Sequence, residues 1–171
     1  YVSLAPSWNG VFEMSPKKMI AILKKLGFKE VSETALGAQE VSIKTAEMLN
    51  NTEHGLWISS ACPVIVDYVR LYKPEFAKYI TPIGSPARTH ARMLKNLYGD
   101  NIAVVFIGPC IGKKKEADAQ DGLIDIAITF EELKMWINDE IPDVSEIQLD
   151  EKYEFVPRVA YEGSLYPIDG G

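Results

Sequence analysis

The chain has 171 residues, 47% of them hydrophobic and 25% charged, ordinary proportions for a soluble globular protein long enough to bury a stable core without disulfides or metal. A net charge of -6 and a pI near 5.0 argue against a nucleic-acid surface. No apolar run approaches the roughly 20 residues of a membrane span, no signal peptide opens the chain and two cysteines make no disulfide framework, so the expected compartment is the cytoplasm.

In chain order, Tyr1 to Leu4 is a short strand candidate ending at Ala5-Pro6-Ser7, and Trp8 to Met14 reads as an irregular loop. Ser15 offers an N-cap oxygen and Pro16 suits the first helical position, so an amphipathic helix is expected through Leu26 to Gly27 as its stop. Phe28 to Val31 is a weak strand, and Ala35 to Leu49 carries apolar residues at helical spacing. Leu56-Trp57-Ile58 reads as a compact strand running into Ser59-Ser60-Ala61-Cys62-Pro63. That turn opens a helix with Cys62 at the N-cap and with Ile65, Val69 and Tyr72 on one face. A short helix from Pro74 to Tyr79 and a longer one from Pro86 to Gly99 follow.

Ile102 to Glu116 is the strongest feature. Six apolar residues run into Gly108-Pro109-Cys110 and then into Lys113-Lys114-Lys115, the pattern of a central parallel strand that delivers a cysteine at its carboxyl end. Cys62 and Cys110 are therefore expected at equivalent strand-end turns. Ile124 to Ile128 is a further strand, and Thr129 with Glu132 forms a capping box for a helix from Phe130 to Ile137. Arg158 to Tyr161 and Leu165 to Ile168 are strand candidates without a place in the order. The alternation implies an α/β fold with a mainly parallel sheet of four or five strands flanked by helices, residues 1–171 forming a single domain.

The chemistry has bland alternatives. A lone buried cysteine usually acts as a small hydrophobe, though a pair at proline-flanked turns suits presentation of sulfur better. The glycines and lysines of 108–113 do not match a phosphate-binding loop, since the spacing is short and no Ser or Thr follows the lysine. The lysine run Lys113 to Lys115 reads more readily as a solvated helix start than as a site, with room for one of the three to face inward. His54 and His90 are the only histidines, and no local signature places either beside a cysteine as in a thiol enzyme.

Leu4-Ala5-Pro6-Ser7, Ser59 to Pro63, Ser85-Pro86 and Gly108 to Glu116 together resemble the catalytic domain of the iron-only ([FeFe]) hydrogenases, over nearly the whole chain. Ser59 to Pro63 is similar to that family's T-S-C-C-P motif and Gly108 to Glu116 to its M-P-C-x-x-K-K-x-E motif. The family's cluster joins a four-iron four-sulfur cubane to a diiron unit carrying CO and cyanide. The resemblance implies that Cys62 and Cys110 are two of the four cubane thiolates, that Lys113 hydrogen-bonds a cyanide and that Glu116 lies on the proton path. Ala5, Pro6, Ser7, Ala61, Pro63, Gly108 and Pro109 would line the cofactor.

Three positions depart from the pattern: Ala61 replaces a proton-shuttling cysteine, Ala87 a usual glutamine, and Gly108 a methionine that packs on the diiron unit, which would leave the pocket enlarged. The third motif, with the last two cysteines, would lie beyond Gly171. Endings like Tyr166 to Gly171 precede it in the sensory branch, which combines the domain with ferredoxin-like and with PAS or kinase modules. The opening at Tyr1 and the close at Gly170-Gly171 fit a fragment. The expected function is H₂ or redox sensing, or weak interconversion of H₂ and protons, in the full-length protein, with no cluster held stably by this chain alone. The alternative is an iron–sulfur assembly or structural cluster-binding protein without diiron chemistry.

Overall fold

The computed structural model describes residues 1–52, 55–119 and 121–166, without the side chains of Glu162 and Leu165. Strand β1 (Val2–Leu4) lies inside the sheet, and its three residues are 0% exposed. It pairs in parallel with β2 (Val31–Glu33) and β3 (Val105–Gly108), with Val2 opposite Val31 and Val105, and β3 pairs in parallel with β4 (Ile126–Thr129). The order is β2-β1-β3-β4, an all-parallel α/β sheet. Parallel strands are joined by crossovers that cover the sheet. Here α1 (Pro16–Lys25) packs on β2, α4 (Pro86–Tyr98) on β1 and α6 (Phe130–Glu140) on β3 and β4. Val2, Leu4, Ile22, Leu94, Ile107 and Leu133, all 0% exposed, belong to one core.

Helix ends follow the local chemistry. Ser15 Oγ accepts from the Lys18 N–H at 3.3 Å at the start of α1, and Ser85 Oγ does the same for Arg88 in α4. Gly27 and Gly99 follow these two helices with φ of +99° and +96°, which L side chains avoid. The capping box of α6 forms in both directions: the Thr129 N–H donates to Glu132 at 2.7 Å, and the Glu132 N–H donates to Thr129 Oγ1 at 3.2 Å. The Lys114 ammonium and then the Thr129 N–H hold the Glu132 carboxyl down at about 2. Helix α2 (Ala35–Asn50) matches its pattern, and α3 (Pro63–Tyr72) begins at Cys62 as expected.

The strands required more correction. Strand β2 starts at Val31, where pairing with the three residues of β1 begins, and Phe28 lies outside it. Leu56–Ile58 is no sheet strand, because Ile58 makes only an isolated bridge to Ile80. The loop after β1 contains a 3-10 turn at Pro6–Gly10, and another at Glu162–Leu165 replaces part of the last expected strand; Arg158 to Tyr161 forms none. Tyr166 follows that turn, and residues 167 and 168 of the last stretch, with His54, lie outside the described residues. Among the described residues no helix is long and apolar enough to cross a membrane.

One polar network sits in the core. Ser3 Oγ lies 2.7 Å from His90 Nδ1 and 2.8 Å from Thr34 Oγ1, and Ser32 Oγ lies 2.8 Å from His90 Nε2. His90 is 0% exposed, and burial takes its pKa down to about 3. The ring is neutral and spends both nitrogens on the strands. Gly37 of α2 lets that helix cross α4 at this level, since a Cβ there would stand 2.3 Å from Pro86 O and 2.6 Å from His90 Cβ.

Two outcomes follow. The folded-state pKa of His90 lies below the unfolded value near 6.5, so its contribution is complete above pH 6.5 and disappears as pH falls toward 3. Urea unfolding at pH 7 and pH 4 is expected to differ by several kcal/mol, of which His90 supplies roughly 3; a His90 ring that titrates between pH 5 and 8 in NMR spectra would contradict this. Thr129→Ala is expected to cost about 1 kcal/mol in the same assay, and an unchanged midpoint would show that the cap contributes nothing.

Candidate functional site

The chain leaves β1 toward β2 on one side and leaves β3 toward β4 on the other. Open parallel sheets bind ligands where neighbouring strands diverge in this way, in the crevice beyond their carboxyl ends. Ala5, Pro6 and Ser7 follow β1, while Pro109 and Cys110 follow β3. The Ala5 N–H donates to Ile107 O at 2.8 Å, locking the two ends together. Ala5 and Gly108 are buried, Pro6 and Ser7 half-buried, and Pro109 and Cys110 exposed.

The crevice floor differs from the sequence expectation. Gly108 does not enlarge a pocket, because the ring of Phe106, 4% exposed, already fills that space. A Cβ at residue 108 would stand 2.6 Å from the ring and 3.0 Å from Ala5 Cβ. Phe106 and Gly108 lie two apart on a strand and so share a face. A bulky ring followed two residues later by glycine was the available signal for this packing, and the sequence reading did not use it.

Cys62 reaches the site by a different route. The turn before it is held by polar contacts: the Ser60 N–H donates to Thr81 Oγ1 at 3.1 Å, and the Ser60 hydroxyl bonds Ile83 O. Cys62 is half-buried at the start of α3, and its side chain caps nothing. The two cysteines are therefore not equivalent, since one follows a sheet strand and the other an isolated bridge. Their turns nevertheless meet. A Cβ on Gly112 would lie 2.8 Å from Val64, 3.4 Å from Cys110 Sγ and 3.7 Å from Pro63.

Lys113 ties the turns directly. Its Nζ donates to Ala61 O at 3.0 Å and to Glu116 Oε2 at 2.6 Å, with the lysine and glutamate side chains only 12% and 10% exposed. Lys113 is thus the one lysine of the run that faces inward at the start of α5 (Lys113–Ala117), while the more exposed Lys114 pairs with Glu132 of α6 and Lys115 with Asp67 of α3. Those two partners lie far off in sequence and carried no signal. Ala87 is buried in the first turn of α4. Both cysteines are free thiols, and no group of three or more His, Cys, Asp or Glu side chains able to hold a metal occurs among the described residues. The arrangement offers two soft sulfur donors beside a buried ammonium–carboxylate pair.

The family model of the iron only hydrogenase large subunit, C-terminal domain, matches residues 1–171. The chain belongs to that family. Iron hydrogenase 1 of Clostridium pasteurianum is 26% identical over 171 residues, covering 90% of this chain and 30% of that protein. The cytosolic Fe-S cluster assembly factor NAR1 of Candida dubliniensis is 32% identical over 125 residues, covering 67% of this chain and 21% of that protein. The fold is shared with the [FeFe]-hydrogenase HydA1 from Chlamydomonas reinhardtii at a TM-score of 0.69 and 23% identity, over 93% of this chain and 47% of that one. It is also shared with a HydA structure that concerns stepwise H-cluster assembly, at a TM-score of 0.70 and 24% identity, over 93% of this chain and 47% of that one. The hydrogenase-like chain thus spans less than half the length of each of these relatives.

Within this hydrogenase-family domain, the Phe106 and Gly108 packing makes a direct prediction. Gly108→Ala is expected to cost about 1–3 kcal/mol by overpacking. In a Phe106→Leu background the same change is expected to cost less, with a coupling of about 1 kcal/mol in a double-mutant cycle read by urea unfolding. Strict additivity would mean that the ring does not fill the site at residue 108.

Proposed function

We propose that this chain supplies part of an iron–sulfur site in a hydrogenase-like protein that senses H₂ or redox state and interconverts H₂ and protons only slowly. The observation that carries the reading is the Lys113 bridge to Ala61 O, which joins the Cys62 turn to the Cys110 turn beside the sheet's switch point. The donor chemistry fits a cluster in part. Two thiols on adjoining turns suit two of the four thiolates that hold a four-iron cluster, and the remaining ligands would come from outside the described residues.

Cys62 and Cys110 would hold the cluster, which supplies one-electron redox chemistry and, where a diiron unit joins it, the cleavage of H₂. The chain's own residues define the surroundings. The start of α3 favours negative charge at Cys62, and Pro109 and Pro63 fix the backbone at the two sulfurs. Lys113 holds a proton donor at the Ala61 carbonyl, and Glu116 offers the nearest proton acceptor. Ala61 has no polar side-chain atom, so a proton passing Glu116 needs water as the next carrier. That gap supports sensing over fast turnover. In this reading residues 1–171 act as one unit of a larger cytoplasmic protein, served by ferredoxin-like electron-transfer modules and joined to PAS or kinase modules.

The alternative, iron–sulfur assembly or structural cluster binding without diiron chemistry, draws on two observations. Phe106 fills the space beside Ala5 and Gly108, and an assembly factor shares 32% identity over 67% of the chain.

Anaerobic reconstitution with iron and sulfide separates the possibilities. The isolated chain is expected to retain less than one cubane's complement of iron, because two thiolates do not complete the set. A stable, stoichiometric four-iron cluster on this chain alone would refute the partial-site reading. In the full-length protein carrying its complete cluster, Ala61→Cys is expected to raise H₂ turnover at least about tenfold, roughly 1.4 kcal/mol of barrier. No gain in a variant whose cluster spectra are unchanged would show that the relay gap does not limit the rate.

A further inference from the structure

Two concavities of about 450 Å³ and about 250 Å³ adjoin at residues 82–84, and neither sulfur lines them. Arg70 of α3, Arg88 of α4 and Lys115 of α5 line the larger. Lys44 of α2 lines the smaller, together with Arg88 and with Arg92 one turn along α4. Five cations therefore converge from four helices, in a chain with 24 acidic against 18 basic residues. The concentration of arginine is greater still, since three of the chain's four arginines are among these five.

The charge is only partly compensated. Arg88 pairs with Asp121, Lys115 with Asp67, and Lys44 with Glu40 at 3.0 Å. Arg70 and Arg92 pair with no carboxylate among the described residues. Glu116 also lines the larger concavity, but Lys113 already occupies it. The positive end of α4 opens on the same segment, and Thr89 lines the smaller concavity. Like charges gathered in a concavity repel one another, and an anion seated between them relieves that repulsion.

We propose that this groove binds a small ligand bearing a diphosphate. Arginine is the residue whose planar fork matches phosphate oxygens in pairs. Arg88 belongs to both concavities, and Arg70 and Arg92 each belong to one of them, so the arrangement accommodates two linked anionic groups with Arg88 between them. A single phosphate would engage one concavity and leave the outer arginine of the other unpaired. The segment 80–85, whose residues 82–84 form the shared wall, also carries Thr81 and Ile83, which hold Ser60 next to Ala61 and Cys62. Occupancy of the groove would thus be felt at the base of the cysteine turn.

The test is calorimetric titration of the full-length protein with inorganic pyrophosphate and, separately, with orthophosphate at matched ionic strength. Pyrophosphate is expected to bind at least about tenfold more tightly than orthophosphate. Arg88→Gln and Arg92→Gln are each expected to weaken it by about tenfold, and Arg158→Gln, outside the groove, to leave it unchanged. Arg88 also pairs with Asp121, so Arg92, which is exposed, gives the decisive variant. Equal affinity for the two anions, wild-type affinity in Arg92→Gln, or no saturable binding would overturn the proposal; the last is what a groove serving an acidic protein surface would give.

Discussion

The hydrogen bonds that His90 makes to two neighbouring strands set the geometry of the rest. Strand β1 is three residues long, and a serine stands at its centre with no access to water. A buried hydroxyl without a partner is costly, and here one imidazole satisfies Ser3 and Ser32 together. Because both ring nitrogens are used, α4 is fixed in rotation and height over β1 and β2. That position forces α2 to pass within contact of Pro86 and His90, which only a glycine at residue 37 allows. It also fixes the start of α4, and with it the segment 80–85 that carries Thr81 and Ile83.

The same argument from partners explains which parts of the fold were legible in the sequence. The starts of α1, α4 and α6 were readable because Ser15-Pro16, Ser85-Pro86 and Thr129 with Glu132 act within one turn of chain. Strand limits were not, because a strand extends only as far as its neighbour pairs. With β1 only three residues long, Phe28 was left outside β2 and Ile102 outside β3, although both are apolar. Leu56–Ile58 has the composition of a strand but lies beside Ile80 rather than a sheet edge. The candidate site divides in the same way. Ala5, Gly108 and Cys110 follow from Pro and Gly at the ends of apolar runs, whereas the contacts of Lys113 with Ala61 and of Lys115 with Asp67 join segments remote in the chain.

Electrostatics at the site is uneven in value. The solvent-exposed pairs that Lys114 makes with Glu132 and Lys115 with Asp67 are screened by water and worth little individually. Lys113 and Glu116 are largely sheltered from water. Removing either partner would leave an uncompensated charge in a sheltered place, a costlier change than loss of a surface pair. The pair is also divided in purpose, since Lys113 gives one of its hydrogens to a backbone carbonyl of the other cysteine turn.

That division matters because the two sulfurs are held with unequal firmness. Cys110 follows a strand whose Phe106 and Ile107 are buried in the main core. Cys62 opens α3, a helix that buries only Val69 and leaves Val64, Ile65, Tyr68, Leu71 and Tyr72 exposed. A helix with so little apolar contact opens locally at low cost. Its place is kept by polar ties instead: Ser60 to Thr81 and Ile83, Asp67 to Lys115, and the Ala61 carbonyl to Lys113. The relation between the cysteines therefore depends on lysines of α5 more than on buried apolar contact, and the Cys62 side is the less firmly packed of the two.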